Sequence, residues 1–228
     1  MRILIIRHGE PDYELDCLTE NGIFQAKKLG ERLKTIDISA VYTSTMGRAR
    51  QTAQIAMEGR GLDITECDWL REFNMEVHDK DLPEAVPVWD ILPKNWTNNK
   101  ICFDKDLFYT AEGISDSMVK ERYDAVCKGV DSVLAEHGLE RRGEIYHVTK
   151  EHDKTIAFFC HFGATCVTLS HLIGISPIVT LQGFSAEPTA ITTVCTDDRF
   201  DKDVNFRIHG FGDIHHLGEN LGGSVNYK

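Results

Sequence analysis

Short runs of branched apolar residues alternate along this chain with longer segments in which apolar residues recur every three or four positions. The apolar runs predict strands, because a strand covered on both faces needs no polar alternation. Strands are predicted at residues 1–6, 39–43, 64–67, 144–148, 155–160, 189–196 and 204–209, among which 3–6 and 156–160 are continuously apolar. The helical spacing predicts helices over about 20–35, 44–57, 115–137 and 163–173. This alternation of strands and helices indicates a layered α/β domain.

Residues 74–110 break the alternation, with three of the six prolines and two of the three tryptophans. The aromatic side chains of this stretch are Trp89, Trp96, Phe103, Phe108 and Tyr109. Disordered linkers are poor in aromatic residues, so the composition predicts an ordered, irregular insertion. We therefore expect one domain over 1–228, with a cap or insertion at about 74–112. The sequence leaves three uses open for the aromatic residues: an apolar lid over a substrate, a second small core, or a contact in a homo-oligomer.

The composition narrows the class of partner. With 228 residues, 42% hydrophobic and 27% charged, the chain is ordinary for a globular protein, and no apolar run approaches the roughly 20 residues that cross a bilayer. A net charge of −11 argues against nucleic acid or a membrane as partner, and it makes a phosphate site depend on local cations. The lack of a signal peptide, and seven scattered cysteines without a C-x-x-C pair, indicate a cytoplasmic location.

Candidate chemistry follows the first predicted strand, in the sequence Arg7-His8-Gly9-Glu10. In α/β folds, ligands bind at the carboxyl ends of strands. An arginine beside a histidine at such an end provides an anion site that contains a nitrogen nucleophile. Gly9 allows the backbone to turn sharply and to approach a ligand closely.

Three later positions extend this pattern. Arg48 falls at a predicted helix start, where backbone N–H groups favour an anion and a guanidinium binds phosphate through two hydrogen bonds. His161 follows the apolar run 155–160, so His8 and His161 are expected at one edge of a parallel sheet. Glu72 lies just beyond a short strand, and it can act as a general acid if its surroundings raise its pKa. Taken alone, Arg48 is also typical of a surface cation, His161 of a core histidine, and Glu72 of a solvated carboxylate.

Seven motifs together have a specific order and spacing. They are Arg7-His8-Gly9-Glu10, Leu18-Thr19-Glu20-Asn21-Gly22, Gln25-Ala26, Ser44, Arg48-Ala49-Arg50-Gln51-Thr52-Ala53, Leu70-Arg71-Glu72 and His161. In these motifs the chain resembles the histidine phosphatase superfamily, in its phosphatase branch with the phosphoglycerate-mutase-like fold. The resemblance covers about residues 1–75 and 155–200 and is poor between them. It implies a three-layer sandwich in which helices flank a mostly parallel central sheet, with a small cap insertion.

The resemblance also implies a mechanism. His8 would be the nucleophile that forms a phosphohistidine, and Glu72 would protonate the leaving group and then activate water. Arg7, Arg48 and His161 would hold the phosphoryl oxygens, with His161 counted among the catalytic residues beside His8 and Glu72. The chemistry is consistent, because a neutral imidazole is nucleophilic near neutral pH and placed cations stabilise the developing charge.

Two further residues are candidate substrate contacts, Thr19 and Phe162. Phe162 stands where the superfamily commonly has a glycine after the second histidine, so this part of the pocket wall is expected to differ. The resemblance implies neither a metal ion nor another cofactor.

Three functions compete. The first is a phosphoric monoester hydrolase of the histidine acid phosphatase type, acting on a small phosphorylated metabolite. The second is a phosphoglycerate mutase, whose segment after the first motif usually bears Ser, Asn and Trp. Here residues 11–17 lack those residues, and their acidic side chains would repel a second anionic group, which favours the phosphatase. The third, a non-catalytic phosphate-binding protein, needs neither a nucleophile nor a proton donor.

Overall fold

The computed structural model describes residues 1–115, 117–197 and 202–218. Its strands are β1 (Arg2–Arg7), β2 (Pro11–Asp12), β3 (Cys17–Leu18), β4 (Ala40–Ser44), β5 (Ile64–Cys67), β6 (Glu76–Val77), β7 (Val86–Pro87), β8 (Leu139–Arg142), β9 (Ile145–Val148), β10 (Thr155–Cys160), β11 (Ile191–Asp197) and β12 (Asp203–Asp213). Its helices are α1 (Glu20–Leu33), α2 (Gly47–Ala56), α3 (Pro93–Trp96), α4 (Val119–Glu136), α5 (Phe162–Ile173) and α6 (Pro177–Gly183). Short 3₁₀ turns join several of them.

One large sheet organises the fold. Within the described ranges it has eight strands in the order β5-β4-β10-β1-β11-β12-β9-β8. The first four strands pair in parallel, and the remaining pairings are antiparallel. Consequently β11 and β9 run against the direction of the other six. The structure thus confirms the mostly parallel central sheet, and its parallel half contains β1, β4 and β10, the strands that lead to the predicted site.

Helices cover both faces of this sheet. On β1, Ile3 and Ile5 belong to a core that also contains residues of α4 and α5. Leu4 and Ile6 point to the other face, into a core with residues of α1 and α2. All four side chains are at most 2% exposed, and burying each contributes about 1.5–3 kcal/mol relative to exposure. Burial on both faces explains why the strand reads as a continuous apolar run, and it confirms the flanking helical layers.

Two helix starts near the site are capped by different means. The Thr19 hydroxyl accepts a hydrogen bond of 3.0 Å from the Gly22 N–H and so caps α1. At α2 the residue before the helix, Met46, makes no such bond with its side chain. Instead the carboxylate of Asp16, from a separate loop, accepts a hydrogen bond of 2.7 Å from the Gly47 N–H. This contact joins the loop that follows β2 to the beginning of α2.

Several elements differ from the predictions. The helix predicted from residue 115 begins at Val119. Outside the insertion, four described elements were not predicted: the short paired strands β2 and β3, the strand β8 and the helix α6. β8 lies at the end of the sheet order and has one buried residue, Leu139, so it carries no apolar run. The signal for α6 was local, because Ser176 caps it and Pro177 occupies its first turn.

The stretch 74–112 forms an ordered set of short elements. Strands β6 and β7 pair as a hairpin, and α3 and short turns follow. Among the described residues, no helix is both long and apolar enough to cross a lipid bilayer.

Candidate active site

The carboxyl ends of β1, β4 and β10 meet at one edge of the parallel half-sheet. His8 follows β1, Ser44 ends β4, and His161 follows β10. The ring centres of the two histidines lie 5.0 Å apart. Arg48, near the start of α2, brings its Nε atom to 3.2 Å from His8 Nε2. The strand order therefore brings together three residues that the sequence had placed at separate strand and helix ends.

His8 is held as a neutral imidazole. The residue is 1% exposed, and its Nδ1 lies 2.7 Å from the carbonyl oxygen of Gly9. A carbonyl accepts hydrogen bonds, so Nδ1 carries the proton and Nε2 carries the lone pair. Burial lowers the pKa of His8 to about 3, with the charges of Arg7 and Arg48 adding to the shift and the Gly9 carbonyl opposing it. Nε2 therefore keeps its lone pair at neutral pH, and in this structure that lone pair accepts the hydrogen bond from Arg48 Nε.

His161 is buried in the same way but has different partners. Its Nε2 lies 2.9 Å from the Ser44 hydroxyl, which also accepts a hydrogen bond of 3.2 Å from the Met46 N–H. Burial, together with His8 and the neighbouring arginines, lowers the pKa of His161 well below its ordinary value. Its Nδ1 has no hydrogen-bond partner among the described residues, so this ring atom remains to contact a ligand.

Two guanidinium groups supply positive charge at this edge. Arg7 donates from Nη1 to the Ala186 carbonyl, and its buried Nε has no partner among the described residues. Arg48 is 6% exposed and forms an ion pair of 2.6 Å with Asp16. A buried N–H without an acceptor is costly unless a ligand satisfies it. Both arginines thus suit an anion placed between them.

The Thr52 hydroxyl fixes the loop after β1 to α2. It accepts a hydrogen bond of 3.0 Å from the Gly9 N–H and donates one of 2.7 Å to the Arg48 carbonyl. Thr52 lies four residues after Arg48, one helical turn on, so the same helix face carries both. The position of His8 relative to Arg48 is therefore fixed through the backbone as well as through the side chains.

The carboxyl group of Glu72 lies against the first turn of α5. Its Oε1 accepts hydrogen bonds of 2.8 Å from the N–H groups of Phe73 and Gly163, and a longer one of 3.4 Å from Ala164. Burial raises the pKa of Glu72 above its ordinary value, against the opposing effect of these donors and of Arg7. A Cβ atom at Gly163 would lie 2.8 Å from Glu72 Oε1, so this approach requires glycine. The raised pKa favours the protonated form of Glu72, which is the form that a general acid needs.

The two predicted substrate contacts have different surroundings. The Thr19 hydroxyl donates to Glu10 Oε1 at 2.8 Å in addition to capping α1, so a substrate contact by Thr19 stays a prediction. The Phe162 ring packs edge-on against Trp89, with ring centres 6.2 Å apart. Trp89 also approaches Gly163 closely, so it borders the site on the side of Glu72.

The other aromatic residues of the insertion do not share this location. Phe108 is 1% exposed and packs against Tyr123 of α4, with ring centres 5.0 Å apart. Trp96 and Phe103 pair with each other, with ring centres 5.4 Å apart, and Trp96 lines a cavity of about 600 Å³ within the insertion. Phe108 therefore packs in a core, one of the uses that the sequence left open, whereas Trp89 lies beside Phe162 and Gly163.

Sequence reasoning missed two residues of the site. Asp16 belongs to the segment 11–17, whose acidic side chains are expected to repel an anion, and the sequence does not predict its ion pair with Arg48. Gly163 was noted only as a residue near a helix start. Its signal was the position two residues after His161, where the first turn of a helix faces the end of its strand.

A neutral buried imidazole and two arginines lie at one edge of a parallel sheet, with the buried carboxyl group of Glu72 at the same edge, and this set of groups suits phosphoryl transfer. A family model of the histidine phosphatase superfamily (branch 1) matches residues 3–202. The chain belongs to this superfamily, whose members are phosphatases or mutases.

Individual relatives are more distant. The chain is 35% identical over 89 residues to a probable phosphoglycerate mutase, GpmB, from Citrobacter koseri, and the match covers 35% of this chain and 41% of that protein. The chain thus spans about two fifths of the length of this curated relative. A phosphoserine phosphatase mutant from Entamoeba histolytica in complex with phosphoserine has a similar structure, with a TM-score of 0.61, 19% identity, and coverage of 95% of this chain and 98% of that one.

The α-ribazole phosphatase from Shigella flexneri is also similar, with a TM-score of 0.60, 17% identity, and coverage of 94% of this chain and 97% of that one. At these identities the two solved structures establish the shared fold.

Proposed function

We propose that this protein is a phosphoric monoester hydrolase of the histidine acid phosphatase type, which cleaves a small phosphorylated metabolite through a phosphohistidine on His8 and needs no metal ion. One observation carries the proposal: the buried, neutral His8 directs the Nε2 lone pair toward Arg48 Nε, 3.2 Å away. A histidine that only binds phosphate would donate an N–H to it, whereas His8 donates its proton to Gly9.

In the first step His8 Nε2 attacks the phosphorus atom. The Nε2–P bond forms and the bond from phosphorus to the ester oxygen breaks, while protonated Glu72 gives its proton to that leaving oxygen. Arg7, Arg48 and His161 hold the three other phosphoryl oxygens, where charge accumulates. The proton stays on His8 Nδ1, which donates a hydrogen bond to the Gly9 carbonyl oxygen, and this contact stabilises the positive ring of the phosphohistidine.

In the second step water replaces the histidine. The oxygen of a water molecule bonds to phosphorus, the Nε2–P bond breaks, and the carboxylate of Glu72 accepts a proton from that water. Inorganic phosphate leaves, and both His8 and Glu72 return to their starting protonation states. One acid–base group can serve both displacements in turn, as the acid in the first and the base in the second. Glu72, whose pKa is raised by burial, suits this double role.

The surroundings of the site support hydrolysis over mutase chemistry. The loop at residues 11–17 carries three carboxylates, and Asp16 already pairs with Arg48. A second phosphate or carboxylate on a substrate near Arg48 would meet the charge of Asp16. The 89 residues shared with a probable phosphoglycerate mutase favour the alternative, so the two activities are tested together.

We also propose that residues 74–112 act as an insertion within a single domain and that Trp89 and Phe162 contact the body of the substrate. A cytoplasmic location and a small metabolite as the partner are consistent with the acidic composition and the free cysteines.

The testing experiment measures phosphate release from a panel of phosphomonoesters by the wild type and by His8→Ala, in the presence of a chelator, with phosphoglycerate interconversion assayed in parallel. We expect release that survives chelation and disappears in the variant, while circular dichroism shows the same fold. Interconversion without release identifies a mutase. Neither activity from folded protein supports a phosphate-binding protein.

A further inference from the structure

The turn at residues 13–16 contacts the Arg48 guanidinium from two directions. Asp16 Oδ1 lies 2.6 Å from Arg48 Nη1, and Asp16 Oδ2 accepts a hydrogen bond of 2.7 Å from the Gly47 N–H. The centre of the Tyr13 ring lies 5.4 Å from Arg48 Cζ, within the range of a cation–π contact. One short loop therefore contributes two partners to the same arginine.

This loop has a well-defined conformation. Strands β2 and β3 pair at its base, and Asp12 Oδ1 accepts hydrogen bonds from the N–H groups of Glu14 and Leu15. Asp16 has a φ of 49°, in the left-handed region that few residues other than glycine adopt. A Cβ atom at Gly47 would lie 2.1 Å from the Asp16 carbonyl oxygen, so only glycine permits this approach. Such strain persists where the surrounding contacts fix it, often at functional sites.

The ion pair determines which donors of Arg48 remain for a ligand. With Nη1 on Asp16, the Nε atom is directed at His8 Nε2, 3.2 Å away. A long arginine side chain without such a partner samples many rotamers. Although partial burial opposes it, the hydrogen bonds from Gly47 and Arg48 lower the pKa of Asp16, so the carboxylate is charged at neutral pH.

We propose that Asp16 is a positioning residue, which fixes Arg48 in the orientation from which its guanidinium contacts a phosphoryl group on His8. The inference rests on the proposed function, because that function gives Arg48 its role. The competing explanation is that Asp16 only caps α2, since its carboxylate also binds the Gly47 N–H. A cap would act on stability whether or not residue 48 is an arginine.

A double-mutant cycle separates the two explanations. Asp16→Asn, Arg48→Ala and the double variant are compared with the wild type for kcat/KM on an aryl phosphate. We expect Asp16→Asn to lower kcat/KM by about 10- to 100-fold in the wild type, as for a misplaced catalytic group. In the Arg48→Ala background the same substitution should change it by less than about threefold. An equal loss in both backgrounds, no loss, or a gain in activity overturns the proposal.

Two further variants control the cycle. Glu14→Gln removes the same charge from the same turn, and because Glu14 is exposed and no hydrogen bond or ion pair within the described ranges joins its carboxylate to Arg48, kcat/KM should stay within about twofold. If Asp16→Asn does not fold, Tyr13→Ala tests the same arginine from its ring face. It should lower kcat/KM severalfold in the wild type and leave the Arg48→Ala variant unchanged. Equal effects in the two backgrounds contradict the inference.

A binding measurement keeps this inference separate from the proposed function. The dissociation constant of inorganic phosphate is measured by calorimetry for the four proteins of the cycle. We expect Asp16→Asn to change it in the wild type but not in the Arg48→Ala background. If no phosphomonoester is cleaved, the proposed function fails while this pattern still tests Asp16. A phosphate affinity that is the same for all four proteins contradicts the positioning role.

Discussion

The two histidines of the site follow similar sequences but have different hydrogen-bond partners. Each follows a buried strand, β1 for His8 and β10 for His161, and a glycine comes one residue after His8 and two residues after His161. His8 directs Nδ1 to the carbonyl of Gly9 and Nε2 toward Arg48. His161 instead directs Nε2 to the Ser44 hydroxyl. The comparison teaches that hydrogen-bond partners, which the sequence pattern does not show, decide which imidazole offers a lone pair at the reacting position.

The largest expected effect comes from replacing the first histidine. His8→Asn should lower kcat by about four orders of magnitude or more, because the variant has no nucleophile to form the covalent intermediate. The measurement is turnover of a phosphomonoester, combined with rapid quenching in alkaline detergent of enzyme mixed with ³²P-labelled substrate, because the N–P bond of a phosphohistidine is stable in alkali and labile in acid. The wild type should retain label on protein, and the variant should retain none.

His161→Asn should have a smaller and different effect. Removing one contact to the phosphoryl oxygens is expected to lower kcat/KM by about 10²- to 10³-fold, while labelled phosphoenzyme still forms. The two variants thus break the comparison at different steps. If His161→Asn abolishes labelling and His8→Asn does not, the assignment of the two rings is reversed.

Much of this arrangement could be predicted from the sequence. The run at 155–160 is confirmed as a strand with the predicted bounds, because a buried strand is marked by continuous apolar residues. The strand at 64–67 also has the predicted bounds, although Thr65 and Glu66 are exposed. The expectation that His8 and His161 share one sheet edge follows from the rule that parallel strands end together. For the two side chains to meet, the strands must also be neighbours, and β1 pairs directly with β10.

Other features lay beyond sequence patterns. The ion pair of Asp16 with Arg48 joins residues 32 positions apart, and it depends on a loop conformation with a positive φ at a non-glycine residue. The hydrogen bond from Gly163 to Glu72 depends on how α5 meets the turn after β5. No periodicity or motif in the sequence predicts either contact, because each depends on how separate elements pack together.

Glu72 is a further difference between the surroundings of the two histidines. Its carboxyl group accepts a hydrogen bond from the backbone just after His161, at Gly163. Glu72→Gln should lower kcat by about 10²-fold for an alkyl phosphate, which needs a proton on its leaving oxygen. For an aryl phosphate with a good leaving group the loss in the first step should be much smaller. Equal losses for both substrates, measured in single turnovers, count against Glu72 as the general acid.

The pH dependence gives a second measurement on Glu72. Since its pKa is raised, the protonated form required for the first step persists above its ordinary value of 4.5, and activity should fall as pH rises through the raised pKa. His8 remains neutral down to a pH of about 3. A raised carboxyl pKa also destabilises the folded state above pH 4.5. Glu72→Gln should therefore remove the alkaline limb and raise the melting temperature at neutral pH, a gain that disappears on acidification.

The smallest expected effect concerns the partner of His161. Ser44→Ala removes the hydroxyl that lies 2.9 Å from Nε2 and leaves a buried ring nitrogen unsatisfied, at a cost of about 1–3 kcal/mol in the free energy of unfolding. We expect kcat/KM to fall about tenfold, as the ring loses its fixed orientation. Thr43→Val is the matched control, because it removes a neighbouring buried hydroxyl whose hydrogen bonds are long, at 3.4 and 3.5 Å, and do not involve His161. If both substitutions lower kcat/KM equally, Ser44 contributes only packing, and the orientation of His161 must depend on the backbone at the end of β10.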